Sequence, residues 1–226
     1  EGMKYVLFHE GHREAVEGKG WEYILIPEMK INIQARQRKI KMLSHLYIPE
    51  AEYTVYLDPS YYVHKSFYQR CLEIIKDKPN FVTTYDESTN RTIVEEALFA
   101  FNRGTLTFSD LKKVRANIKE YFYSTNNSWL IRKNIKEVNN INEAWWNLYQ
   151  KCYEEYGRDQ LLLPSVCEES FIDWYDLDKE LHNKCYIYRH KSPAHGNQIE
   201  KKISHLDIID LFKGIKNSEN IFLRRI

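Results

Sequence analysis

Short runs of β-branched and aromatic residues alternate with amphipathic stretches along most of this chain, which restricts it to a sheet with helices laid against its faces. Lys4 to Phe8 and Tyr23 to Ile26 are apolar, bounded by turn residues, and read as the first two strands. Gln34 to Tyr47 carries Ile40, Leu43 and Tyr47 at helical spacing, with Arg36, Arg38, Lys39 and Lys41 round the remainder, so it predicts an amphipathic helix with a basic side. Glu52 to Leu57 has strand composition and stops at Asp58-Pro59, where proline cannot continue a ladder. Phe67, Cys71, Ile74 and Ile75 mark a helix, Phe81 to Thr84 a strand, and Asn90 to Arg103 a helix closed by Gly104. Ser109 to Phe122, Trp129 to Ile131, Ile141 to Tyr156 and a segment capped by Asp159 through Val166 follow as helix, strand, helix and helix. Lys184 to Arg189 is the last strand. The expected fold is α/β, a mixed, mostly parallel sheet flanked by helices. Ligands of such sheets bind beyond the carboxyl ends of the strands, where Asp58 falls.

A chain of 226 residues can bury one large core, expected over residues 1–200, with the lysine-rich segment 201–226 as a helical tail. No apolar run approaches the roughly 20 residues of a membrane helix, and no basic segment followed by an apolar one opens the sequence. No transmembrane segment and no secretion signal are therefore expected. With 33 Lys and Arg against 32 Asp and Glu, the chain lacks the basic excess of a dedicated nucleic-acid binder, so any phosphate binding must come from a local cluster. Cys71, Cys152, Cys167 and Cys185 form no CxxC pair and read as buried thiols of a reducing compartment, hence a cytoplasmic location.

Four groups carry the chemistry. Asp58, a carboxylate at a strand end, can hold a divalent cation against nucleotide phosphates, although an Asp before Pro is also a common turn. Arg36, Lys39 and Lys41, with His45 on the same predicted helix, supply the positive charge a diphosphate needs, unless they form only a solvated face. Trp145 and Trp146 point about 100° apart on a helix, so one can enter the core while the other lines a cleft. Arg158 and Asp159 stand at a helix start, as a cap or as polar groups at the mouth of a site, and a carboxylate there can take the proton of an attacking hydroxyl. His190 and His195, after the last strand, are candidate ligands of a metal held by a distant Asp.

Taken in order, Arg38-Lys39-Ile40-Lys41 through His45, Glu52-Tyr-Thr-Val-Tyr-Leu-Asp58, Phe122-Tyr-Ser124 with Leu130-Ile-Arg132, Asn142-Glu143-Ala-Trp145-Trp146, and Arg158-Asp159-Gln160 with Leu163-Pro164 form one pattern. It resembles the glycosyltransferase-like domain family that includes plant pectin and mucilage proteins and bacterial and phage members. The likeness spans roughly residues 36 to 166. It implies a GT-A-type, Rossmann-like fold, a nucleotide-sugar donor with a UDP-sugar as its expected form, and Mn²⁺ or Mg²⁺ near Asp58, where such folds carry an Asp-x-Asp signature. Here the text is Asp58-Pro59-Ser60; the second acid is missing, which makes His195 a candidate compensating ligand. The His and Arg that family members often carry after the next strand are replaced by Thr84-Tyr85-Asp86, with Arg91 and Glu95-Glu96 beyond.

The resulting expectation is a metal-dependent glycosyltransferase that moves a sugar from a nucleotide diphosphate to a glycan or other hydroxyl acceptor. Asp58 and His195 would hold the metal, and Arg38, Lys41, His45, Asp58 and Trp146 would hold the donor. Asp159 and Arg158 would act on the acceptor; if Asp159 is the base the transfer inverts, and if no carboxylate reaches the acceptor a retaining route is favoured. A degenerate nucleotide- or glycan-binding module is the alternative that the incomplete acidic motif suggests. A phage enzyme glycosylating modified DNA bases is a third reading, disfavoured by the near-neutral charge and kept open by Lys201 and Lys202.

Overall fold

The chain runs β1 (Tyr5–His9), β2 (Trp21–Leu25), α1 (Ile33–Met42), α2 (Ser44–Tyr47), β3 (Tyr53–Leu57), β4 (Tyr61–Val63), α3 (Lys65–Lys76) and β5 (Phe81–Thr84). It continues as α4 (Ile93–Asn102), α5 (Phe108–Asn117), β6 (Asn126–Lys133), α6 (Lys136–Cys152), a 3₁₀ turn (Asp159–Leu161), α7 (Leu163–Cys167), β7 (Tyr186–Arg189) and α8 (His205–Leu211). This is a computed structural model, and it describes residues 4–9, 21–58, 61–63, 65–77, 80–84, 92–118, 124–154, 157–167, 186–189 and 205–212.

The protein is a mixed α/β structure. Strand β6 lies between β3 and β5 and is antiparallel to both, so β3 and β5 run parallel to each other on either side of it. That arrangement is a βαβ unit split by an inserted strand, with α3 in its crossover. The sequence pattern led to a mostly parallel sheet. Among the described strands β1 and β2 pair in parallel, whereas β3–β6, β5–β6 and β4–β7 are antiparallel. The reason lies in the connections: a single helix carries the chain back to the end of the sheet where β3 began, so β5 runs parallel to β3, whereas after the pair α4 and α5 strand β6 starts from the end where β5 finished.

Both faces of this sheet are covered, which is why Trp129, Leu130 and Ile131 of β6 are apolar in succession. Trp129 and Ile131 point towards α3, where Phe67, Cys71 and Ile74 cover them together with Val55 and Leu57 of β3. Leu130 and Phe81 point the other way, into the larger core built from α1 and α4 to α8. Ile208 and Phe212 are buried in that same core, so residues 205–212 contribute to it directly. Cys71, Cys152 and Cys167 are free and buried. Among the described residues no helix is long and apolar enough to cross a membrane.

Local chemistry fixes the helix ends. Asn32 caps α1 through a bond from Ala35 N at 2.8 Å. Thr92 with Glu95, and Thr107 with Asp110, form reciprocal capping boxes at α4 and α5. Gly104, past the end of α4, takes a φ of 64° that a side chain would resist. The stretch expected as one helix from Gln34 to Tyr47 breaks at Leu43 (φ −102°, ψ 36°), which separates α1 from α2.

Candidate functional site

Alternation along β3 puts Thr54, Tyr56 and Asp58 on one face of the sheet, the face that α1 covers. Asp58 prolongs the ladder by one bond, its N–H donating to Ser128 O at 2.7 Å, so its carboxylate sits at the carboxyl end of β3 and half-buried. The Tyr56 hydroxyl donates to Asp58 Oδ1 at 2.6 Å. Above the Tyr56 ring lies the Lys41 ammonium, 5.0 Å from the centroid.

Arg38 and Lys41 are three apart on α1 and therefore share a face. Both reach the 3₁₀ turn: Lys41 Nζ is 2.6 Å from Asp159 Oδ2, and Arg38 Nε is 3.5 Å from Asp159 Oδ1. The Trp145 indole donates to the Asp159 carbonyl at 3.3 Å, which anchors the backbone of the turn to α6. Arg158, one residue earlier, turns away to Glu96 of α4, with Nε 3.1 Å from Oε1 and the guanidinium over the Phe99 ring.

Burial and charge act against each other here. Lys41 and Asp159 are each only 2% exposed. Burial pulls the Lys41 ammonium below its ordinary range, more strongly than Asp159 and Asp58 hold it up. For Asp159 burial alone would raise the carboxyl, but Arg38, Lys41 and Arg158 overcome it and hold the group at about 2. The two directions are compatible, because Asp159 answers to several cations while Lys41 is also repelled by Arg38. Burial, reinforced by Asp58, raises the Tyr56 hydroxyl well above its ordinary range, so it stays a proton donor at neutral pH.

The structure thus brings Arg38, Lys41, Asp58 and Asp159 into one cluster. A carboxylate held near 2 is a weak proton acceptor at neutral pH, so what this geometry gives Asp159 is a grip on two cations. The other candidates lead elsewhere. His45 is buried, with Nε2 3.6 Å from Glu143 Oε1 of α6, and burial holds its ring below the usual range against that carboxylate. Trp146 is 7% exposed and stacks on Tyr149 at 5.6 Å. Both tryptophans therefore have core positions, where one of them was expected to line a cleft. Pro59, Ser60, Tyr85, Asp86, Arg91, His190 and His195 lie outside the described residues.

Among the described residues no group of three His, Cys, Asp or Glu side chains could by itself hold a metal. With Asp159 held by Arg38 and Lys41, Asp58 is the carboxylate the cluster has to offer, which suits a cation that takes most of its oxygens from phosphates and water.

Tyr56, Glu96 and Arg132 were not singled out as site residues. The period of two would have found Tyr56, two residues before Asp58 on a strand. Arg132 follows the three apolar residues Trp129 to Ile131 and precedes Lys133, so no local pattern marked it. Comparison with protein-family models, with curated proteins and with solved structures gives no match to this chain.

Proposed function

We propose that this chain is a glycosyltransferase of GT-A type that takes a sugar from a nucleotide diphosphate, with a UDP-sugar as donor, and passes it to a hydroxyl of a glycan or other acceptor. The observation that carries the reading is the convergence of Arg38 and Lys41 on the face of β3 that holds Tyr56 and, at its carboxyl end, Asp58. These segments lie on separate elements, α1 and β3.

In this reading Asp58 would be the protein ligand of a Mn²⁺ or Mg²⁺ ion bound with the donor, and such an ion would supply positive charge against the leaving diphosphate. Tyr56 orients that carboxylate through its hydroxyl. Arg38, whose side chain is 18% exposed, is the cation that reaches the donor, while Lys41 supports it from within. Fixed positive charge aimed at a departing diphosphate is the electrostatic contribution that dominates such transfers. Asp159 acts by positioning the two cations; its low basicity favours the retaining route.

The same low basicity, with the lack of a three-ligand group among the described residues, favours a second reading as a nucleotide- or glycan-binding module without turnover. Donor hydrolysis and transfer by the full chain, measured with UDP-sugars and Mn²⁺, separate the two. Turnover lost in Asp58→Ala supports the enzyme. Unchanged turnover in that variant removes Asp58 from the mechanism, and metal-dependent binding without turnover selects the binding module.

A further inference from the structure

We infer that Arg132 is a positioning residue for this site: from the middle of the sheet it clamps the carbonyl end of α1 and so fixes where Lys41 presents its ammonium. Arg132 is 1% exposed and stands opposite Thr54 in the β3–β6 ladder, on the face that carries Tyr56 and Asp58. Its guanidinium donates from Nη2 to Lys41 O at 2.7 Å and to Ser44 Oγ at 2.8 Å. From Nη1 it donates to Met42 O at 3.1 Å and to Asn142 Oδ1 at 3.0 Å.

Lys41 and Met42 are the last two residues of α1, and a helix leaves its final carbonyls without intrahelical donors. A planar fork can serve two such carbonyls at once, and its charge suits the negative end of the helix dipole. Ser44 and Asn142 hold the fork in that plane, and Ser44 Oγ lies 3.3 Å from Thr54 Oγ1 of β3. Lys41 is thereby fixed at both ends, its carbonyl by Arg132 and its ammonium by Asp159. All four acceptors of Arg132 are neutral, and burial pushes the guanidinium down to about 10. A charge buried on such terms is costly for stability alone, which points to a geometric role.

The link to donor binding rests on the proposed function; the coupling to Lys41 does not, and the experiment keeps them apart. The probe is the full chain carrying ¹⁵N-lysine, with the Lys41 ammonium signal identified by its loss in Lys41→Arg. In folded Arg132→Lys, which keeps the charge and loses the fork, exchange of the Lys41 ammonium with water rises at least about tenfold, and UDP binding with Mn²⁺ weakens by a similar factor. If Arg132→Lys does not fold, Ser44→Ala with Asn142→Ala removes both side-chain anchors of the fork and carries the same expectation. Exchange at Lys41 within about twofold of wild type in the folded variant, with only the melting temperature lowered, overturns the inference and leaves Arg132 a structural tie. If the wild type binds no UDP, the donor reading falls, and the Lys41 signal decides the role of Arg132 by itself.

Discussion

Lys41 and Asp159 meet as a buried ion pair, Nζ to Oδ2 at 2.6 Å, joining the last turn of α1 to a 3₁₀ turn far along the chain. Neither side chain has water to fall back on, so removing Asp159 strands the Lys41 ammonium, whereas removing Lys41 leaves Asp159 with Arg38. Asp159→Leu is expected to cost about 3–5 kcal/mol in urea unfolding, while Lys41→Met with Asp159→Leu recovers much of that loss. Additive losses in the double variant would show that the two groups are not coupled.

The acid limb of stability should carry the signature of Asp159. Its folded value of about 2 lies below the ordinary 3.8, so the stabilisation is fully present above about pH 4 and drains away as pH falls towards 2. The contribution is about 2 kcal/mol. Urea unfolding followed from pH 6 to pH 2 should therefore be shallower in Asp159→Asn than in wild type; parallel curves would mean that another carboxylate governs the limb.

Glu96 is 2% exposed and takes its charge partner from Arg158. Arg158→Met takes the guanidinium away from a buried anion of α4 and is expected to cost about 3 kcal/mol, whereas Glu96→Gln, which keeps an acceptor and no charge, costs about 1 kcal/mol. The order of the two melting temperatures is the check.

Gly157 is constrained by its neighbours. An added Cβ would lie 2.0 Å from Tyr153 Cδ2 and 2.1 Å from Cγ, and that ring is held by its hydroxyl bond to Arg158 O at 3.2 Å. Gly157→Ala is expected to lower stability by about 3 kcal/mol, measured by calorimetry, with relief in Gly157→Ala/Tyr153→Ala. No change on Gly157→Ala would show that the ring moves freely.

The sequence made the elements legible where periodicity and caps agree, as for β3 ending at Asp58 and α4 closed by Gly104. It did not reveal strand direction, because alternation of apolar residues is the same whichever way β6 runs. The convergence of Arg38 and Lys41 with Asp58 could be read from charge and from the carboxyl-end rule. Their tie to Asp159 could not, since it depends on how the turn after α6 packs under α1. Trp145 and Trp146 show the limit of helical angles: two directions 100° apart can both be buried when α6 is covered on more than one side. Arg132 is invisible to local patterns for a similar reason, its partners being backbone carbonyls of a distant helix end.

The central claim is that Asp58, Arg38 and Lys41 together take up a nucleoside diphosphate with its cation. Isothermal titration of the full chain with UDP, with and without Mn²⁺, tests it most directly. The account expects binding that requires the ion and falls at least about tenfold in both Asp58→Ala and Arg38→Met. Binding that is indifferent to the ion and to both substitutions would contradict it.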